Sequence, residues 1–288
     1  MVTVNGKWSC GVTTVPNRIG NLLPRTLLSL GDAGFEVSRL FVDGASDPTP
    51  WTRFSVPITV RSPQAGAAAS WFLSLSELCL REPAADFYAV FQDDLIMCRN
   101  VRQHLEHCSY PEHGYWNLTL FPQYASALKG KTGWHVAPSQ RGLSAMALVF
   151  SRITAVRLLS TDHFFVRAVD PKRGRRAVDG AVVTALNSVG FKEWVHVPSL
   201  TQHTGHVSAI GNSAQPQMDT FPGEDFDALS LPFDGQPPPP QVIPSEPTHP
   251  HRVVSPRGAV PAPRVARPLP LPTNRHGRIV FRKSTRPR

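Results

Sequence analysis

Short β-rich runs alternate with helical patterns through the first 95 residues of the chain. The strand-like runs are residues 8–15, 39–42, 58–60 and 87–91. A leucine-rich helical face follows the first run, and residues 67–80 form a second helical pattern before the last of these runs. Such alternation implies a mostly parallel central sheet covered by helices, with ligands bound beyond the carboxyl ends of the strands. The expected fold class is therefore α/β.

The second half of the sequence is less regular. Residues 116–121 and 194–197 are predicted strands, and residues 142–150 form an apolar run that passes into a helical pattern over 151–159. A further helix is predicted over 178–189. A basic loop, residues 173–176, precedes that helix.

Proline and positive charge are concentrated at the end of the chain. Residues 231–288 contain 15 of the 29 prolines and 10 of the 30 Lys and Arg residues, and carry +8 of the formal net charge of +9. A segment of this composition has little apolar surface to bury against its chain entropy. We therefore predict one domain over residues 1–230 and a disordered, proline-rich basic tail over 231–288, which can bind polyanions weakly and in a salt-sensitive way.

Cysteine usage and hydropathy bear on the compartment. Cys10, Cys79, Cys98 and Cys108 show no CxxC spacing, which favours a reducing environment. The start of the chain lacks a charged region followed by an apolar one, and no apolar stretch reaches the length of a membrane span. We expect a soluble, cytoplasmic protein.

Two adjacent carboxylates, Asp93 and Asp94, directly follow the apolar run 87–91. Burying two anions side by side is costly without a compensating cation. At the carboxyl edge of a sheet such a pair can hold Mg²⁺ or Mn²⁺, ions that prefer carboxylate oxygens and leave positions open for substrate phosphates. The same residues are equally compatible with a cap on a following helix, so both interpretations stay open at this point.

The acidic pair resembles the metal site of GT-A fold glycosyltransferases, in which an acidic motif follows a hydrophobic strand. The resemblance covers roughly residues 8–212 and depends on several motifs occurring in the family's order. It implies that Asp94 ligates a Mn²⁺ or Mg²⁺ ion bridging the donor's diphosphate, with Asp93 in support. Many family members have an acidic residue where this chain has Gln92, so no ribose contact is assigned there.

The resemblance also assigns a donor-binding set. Asp43, at the end of the second predicted strand, corresponds to a carboxylate that meets the base or ribose, although an Asp-Gly turn is the alternative. The small-residue segment that begins with Gly142 and includes Ser144 corresponds to the loop lining the donor sugar. Thr13 and Arg18, in and after the first strand, are assigned to the donor as well, with a solvated helix-start arginine as the alternative for Arg18.

The remaining assignments concern chemistry at the acceptor side and the metal. Asp179 stands where inverting family members place the base that deprotonates the acceptor hydroxyl, with a helix N-cap as the alternative and Asp170 as the competing base. His203, after the last predicted strand, corresponds to the third protein ligand of the metal, and His206 lies three residues on. An exposed loop histidine is the alternative for both. Ser208 is assigned to the diphosphate.

These assignments predict a metal-dependent hexosyl- or N-acetylhexosaminyltransferase. It would move a sugar from a nucleotide-sugar donor, foremost a UDP-sugar, to an acceptor hydroxyl with inversion. The acceptor stays open among a glycan, a small molecule, a protein and a modified nucleic acid. The alternatives are a nucleic-acid-binding or scaffolding protein on an inactive α/β body, and a glycosyltransferase that acts on modified DNA with the tail as an electrostatic tether.

Overall fold

A computed structural model describes residues 6–170, 178–204 and 217–233. Within these ranges the strands are β1 Trp8–Thr14, β2 Arg39–Asp43, β3 Ile58–Arg61, β4 Phe87–Gln92, β5 Leu95–Met97, β6 Gly114–Asn117, β7 Gly133–Val136, β8 Ala147–Ser151, β9 Lys192–Val197 and β10 Thr201–His203. The helices are α1 Leu22–Asp32, α2 Ala67–Arg81, α3 Val101–His107, α4 Pro122–Ala127, α5 Arg152–Leu159, α6 Asp162–Val169 and α7 Val178–Ser188. Short 3₁₀ turns cover Pro16–Arg18, Thr49–Phe54 and Ala228–Ser230.

Eight of these strands form one sheet in the order β3-β2-β1-β4-β8-β6-β9-β7. Strands β1 to β4 are parallel to one another, and β6 is parallel to β9. Strand β8 runs antiparallel to both β4 and β6, so β6 and β9 point the same way as β1 to β4. The predicted α/β class with a mostly parallel sheet is confirmed, and the carboxyl ends of six strands share one edge.

Each face of this sheet carries its own apolar cluster. Trp116 belongs to the cluster that includes residues of β5, α1 and α3, whereas its neighbour Tyr115 belongs to the cluster that includes residues of α2, α5 and α7. Successive residues of a strand point to opposite faces, so a strand covered by helices on both sides is apolar throughout. Strand β4 shows this pattern, since Phe87 to Phe91 are all buried.

A second, two-stranded sheet lies beside the carboxyl edge. Strand β5 pairs antiparallel with β10, and Leu95 is opposite His203. Thr26 and Ser29 of α1 anchor β5 through hydrogen bonds to the backbone of Leu95 and Met97. This ribbon places the residue after Asp94 directly across from a histidine that is distant in sequence.

The predicted element order of the first half is confirmed. In the second half the helix predicted over 178–189 is α7, and the last predicted strand is β9, which begins at Lys192. The strand predicted over 116–121 is wrong in its extent, because β6 ends at Asn117 and Pro122 begins α4. Strands β5, β7 and β10 and helices α3, α4 and α6 had no prediction.

Other expectations have mixed outcomes. All four cysteines are free thiols, and Cys10, Cys98 and Cys108 are buried. None of the helices in the described ranges is long and apolar enough to cross a membrane. The basic loop 173–176 and the predicted tail after residue 233 lie outside the described residues.

Candidate functional site

The two predicted acidic residues lie in the turn between β4 and β5, at the carboxyl edge of the main sheet. Asp93 and Asp94 are only 4% and 5% exposed. The residue after them, Leu95, begins a strand, so the interpretation of the pair as a helix cap is wrong. Two buried carboxylates side by side need cationic or hydrogen-bonding partners.

Arg18 supplies the cation. Its Nη1 donates to Oδ1 of Asp93 at 2.7 Å and also to Oδ2 of Asp94. The 3₁₀ turn that follows β1 directs Arg18 across to the end of β4, where it is 7% exposed. The interpretation of Arg18 as a solvated arginine is therefore wrong, and one guanidinium serves two carboxylates.

The environments of the two carboxyls differ. Thr14 donates its hydroxyl to Oδ2 of Asp93 at 2.5 Å. Burial and the charge of Asp94 raise the pKa of Asp93 to about 6, although the guanidinium of Arg18 opposes the shift. For Asp94 burial acts in the same direction, but the hydrogen bond and charge of His203, together with Arg18, lower its pKa below the ordinary value. Asp94 is therefore the carboxyl that stays ionised most readily.

His203 belongs to this cluster. Its Nε2 lies 3.1 Å from Oδ2 of Asp94, and the side chain is buried within β10. The next amide, that of Thr204, donates to the carbonyl oxygen of Asp94 at 2.8 Å. The interpretation of His203 as an exposed loop residue is therefore wrong. His206 and Ser208 lie outside the described residues.

The second oxygen of Asp94 is distinctive. Oδ1 is buried and has no hydrogen-bond partner among the residues that the structure describes. A buried carboxylate oxygen without a partner is costly, which makes it a candidate ligand atom. The described ranges contain no group of three or more His, Cys, Asp and Glu side chains arranged around a metal site. Asp94 and His203 nevertheless fit a divalent ion that takes its other ligands from substrate phosphates and water.

Asp43 ends β2 at the same edge but has structural partners. Its two carboxylate oxygens accept the backbone amides of Ala65 and Gly66 at 2.8 and 2.9 Å. These amides directly precede α2, so Asp43 stabilises the entry to that helix. A contact between Asp43 and the donor stays a prediction.

The first strand reaches the acidic pair through Thr14, a residue that we did not predict. Thr13 donates its hydroxyl to the carbonyl oxygen of Phe91 at 3.3 Å, which ties it to the neighbouring strand. Thr14, one position later, is the residue that reaches Asp93. The alternation of side chains along a strand puts only one of the two adjacent threonines on the carboxylate side.

The small-residue segment adjoins both the acidic pair and α7. Met146 accepts the amide of Gln92 through its carbonyl oxygen at 2.8 Å, next to Asp93. Gly142 has φ +64°, and a Cβ on it would lie 2.3 Å from the carbonyl oxygen of Asp179. Only glycine permits this approach. The loop between β7 and β8 therefore links the end of β4 to the start of α7.

Asp179 lies in the first turn of α7 and is half-buried. Its Oδ1 accepts the amide of Gly180 at 2.8 Å. Asp170 follows the last residue of α6, and Ser144 is buried in the loop. The predicted base thus lies on the sheet edge where the loop also lies, and its role stays a prediction.

The chain matches no protein-family model and no curated protein. Solved structures similar to it include TarS from S. aureus, at 14% identity and a TM-score of 0.48, over 69% of this chain and 37% of TarS. GalNAc-T7 with UDP, GalNAc and Mn²⁺ is similar at 11% identity and a TM-score of 0.46, over 75% of this chain and 46% of GalNAc-T7. The nucleoside-diphosphate-sugar pyrophosphorylase from Vibrio cholerae RC9 is similar at 12% identity and a TM-score of 0.41, over 68% of this chain and 95% of that chain.

The chain spans less than half the length of the first two of these structures. All three similarities are at low identity.

Proposed function

We propose that the chain is a glycosyltransferase that moves a sugar from a nucleotide-sugar donor to an acceptor hydroxyl with the help of Mn²⁺ or Mg²⁺. The observation that carries the proposal is the buried pair Asp93 and Asp94 at the carboxyl edge of a mostly parallel sheet. One oxygen of Asp94 has no partner among the described residues, and His203 contacts the other. This is the edge at which open α/β sheets bind their ligands.

Asp94 and His203 would hold the ion, with Asp93 in support. When bound, the ion neutralises the charge that develops on the departing nucleoside diphosphate. The same oxygen of Asp94 contacts both Arg18 and His203. Arg18 would exchange its contact with Asp94 for phosphate oxygens of the donor, which a guanidinium binds in a bidentate fashion.

The donor sugar would lie against the loop that contains Gly142 and Ser144, whose backbone adjoins Gln92. Asp43, Thr13 and Ser208 remain assigned to the donor nucleotide or diphosphate on the basis of the family resemblance. A UDP-sugar that carries a hexosyl or N-acetylhexosaminyl group is the proposed donor.

Asp179 is the proposed base. It would take the proton from the acceptor hydroxyl as that oxygen attacks the anomeric carbon from the face opposite the diphosphate, which inverts the configuration. The N-terminus of α7 stabilises its ionised form. Proton transfer to a positioned carboxylate of this kind contributes about 10²- to 10⁴-fold in rate. The acceptor itself is a glycan, small molecule, protein or modified nucleic acid.

The test is the release of nucleoside diphosphate from a panel of UDP- and GDP-sugars in the presence of Mn²⁺. Asp94→Asn keeps the size of the side chain but removes its charge, and should abolish release. Glu112→Gln is the matched control, because that carboxylate is 83% exposed. Unchanged release by Asp94→Asn, or in excess EDTA, would contradict the metal assignment.

The nucleic-acid-binding and scaffolding alternatives gain no support from the described residues. Both rely on the basic, proline-rich tail, which lies outside them after residue 233. Action on modified DNA stays open as one choice of acceptor.

A further inference from the structure

A buried glutamate, Glu193, lies at the centre of the contacts that hold the loop between β7 and β8. We call residues 137–146 the bridging loop, since it connects the end of β4 with the start of α7 through Met146 and Gly142. Glu193 is 0% exposed, at the second position of β9. The sequence offers no cue to it, because a single glutamate in an apolar strand forms no motif.

The carboxylate of Glu193 acts on the bridging loop through two intermediaries. Its Oε1 accepts Nδ2 of Asn117 at 2.8 Å, and the same Nδ2 donates to the carbonyl oxygen of Ser144 at 2.9 Å. Its Oε2 accepts the hydroxyl of Tyr124 at 3.1 Å, and that hydroxyl accepts the amide of Arg141 at 3.1 Å. A single side chain therefore connects each carboxylate oxygen to the backbone of the loop.

The backbone of Glu193 holds a third point. Its amide donates to Oε1 of Gln140 at 2.8 Å, and Nε2 of Gln140 donates back to the carbonyl oxygen of Glu193 at 2.9 Å. Gln140 has φ +44°, a left-handed conformation that a non-glycine residue adopts only at a cost. This reciprocal pair offsets that cost and fixes the conformation of the loop at Gln140.

The loop that these contacts fix adjoins both halves of the proposed site. The carbonyl oxygen of Met146 accepts a hydrogen bond from the amide of Gln92, next to Asp93. Gly142 packs on the backbone of Asp179. Asp179 is also near enough to Glu193 that its charge contributes to the raised pKa of that glutamate. A displacement of the bridging loop would therefore move the surface assigned to the donor sugar without touching Asp94 or His203.

We propose that Glu193 is a positioning residue, which holds the bridging loop in the shape that receives the donor sugar by orienting Asn117 and Tyr124. This inference rests on the proposed function. It predicts that loss of the Asn117 contact or of the Tyr124 contact weakens donor binding selectively, because a buried hydrogen-bonding group is left without its partner.

The cleanest variant is Tyr124→Phe, which removes one hydroxyl and leaves the ring. Tyr110→Phe is the matched control, since the Tyr110 hydroxyl donates to the carbonyl oxygen of Gly114 and accepts the amide of Ser151, at the opposite end of β8. Both variants should lose similar stability. We expect the donor KM to rise about tenfold in Tyr124→Phe and to stay within about twofold of the wild type in Tyr110→Phe, with kcat little changed in both.

Glu193→Gln tests the glutamate itself, and in the double variant its effect should be less than additive with that of Tyr124→Phe, because the two residues share one contact. Equal donor KM values in Tyr124→Phe and Tyr110→Phe would overturn the proposal. If Glu193→Gln fails to fold, the comparison of Tyr124→Phe with Tyr110→Phe still tests the proposal.

A readout without turnover separates this inference from the proposed function. Hydrogen exchange of the amides in residues 137–146 should accelerate in Tyr124→Phe and not in Tyr110→Phe. If the wild type transfers no sugar while the two variants differ in exchange in this way, the proposed function alone is contradicted. An unchanged exchange pattern in Tyr124→Phe would contradict the positioning role whatever the activity.

Discussion

His203 Nε2 lies 3.1 Å from Oδ2 of Asp94, and the ribbon formed by β5 and β10 creates this contact. A histidine that follows the last strand of the main sheet thereby reaches a carboxylate at the end of β4. The other oxygen of Asp94 has no partner in the part of the chain that the structure describes. The pair is the one that we propose to hold a cation, while Arg18 supplies the positive charge within the protein itself.

Replacement of Arg18 by Gln should strengthen Mn²⁺ binding. The guanidinium contacts the two carboxylates that would also neutralise the metal ion, so removal of one cation favours the other. Without metal the variant should be less stable by about 3 kcal/mol, since two buried carboxylates lose their counter-ion. Calorimetric titration with Mn²⁺ and thermal unfolding with and without Mn²⁺ provide the measurement.

Arg25→Gln is the control for this experiment, because Arg25 is an exposed arginine on α1 whose salt bridge is with Glu224. Arg25→Gln should change neither the affinity for Mn²⁺ nor the thermal stability appreciably. A folded Arg18→Gln protein that binds Mn²⁺ more weakly than the wild type would show that Arg18 organises the site rather than competing for it.

Gly142→Ala should destabilise the fold more than the equivalent change at Gly130. Both glycines have positive φ, +64° and +78°. A Cβ at position 142 meets the backbone of Asp179, whereas a Cβ at position 130 meets nothing within 4 Å. The shared backbone strain costs about 1–2 kcal/mol, and the clash adds to it only at position 142. Urea unfolding of both variants measures the difference, and equal free energies of unfolding would contradict the packing described for the loop.

The stability of the fold should depend on pH through His196. Burial lowers its pKa to about 3, so the imidazole stays neutral in the fold where an unfolded chain would protonate it near pH 6.5. The unfolded state therefore binds this proton first as the pH falls below 6.5. The resulting loss of stability amounts to about 1.4 kcal/mol per pH unit for this one group until about pH 3. His196→Gln should remove it.

Glu193 changes the pH dependence of stability in the opposite direction. Burial raises its pKa to about 7, so the fold retains a proton that the unfolded chain has released, and stability falls as the pH rises from about 4.5 to 7. The wild-type pH slope contains both contributions, so the informative comparison is between variants. The stability of His196→Gln should rise less steeply from pH 5 to 6.5 than that of the wild type, as measured by urea unfolding. Parallel slopes would be inconsistent with a buried neutral histidine.

Much of the fold could be predicted, because the β-rich runs of β1 to β4 alternate with helices that are long enough for the periodicity of their apolar residues to show. The positions of Asp43, Asp93 and Asp94 followed from the strand ends. The β5 and β10 ribbon could not be predicted, since it pairs two three-residue strands that are distant in sequence. The burial of Arg18 and the role of Thr14 depend on how β1 and β4 align in the sheet, which no local pattern encodes.

A metal site at Asp94 is tested by the binding of Mn²⁺ together with a nucleoside diphosphate, measured by calorimetry on the wild type, Asp94→Asn and His203→Gln. The wild type should bind UDP or GDP more tightly in Mn²⁺ than in EDTA, while both variants should lose that dependence on metal. Glu112→Gln, the exposed-carboxylate control, should behave as the wild type does. Metal-dependent binding of the nucleotide that persists unchanged in Asp94→Asn would contradict a metal site at Asp94.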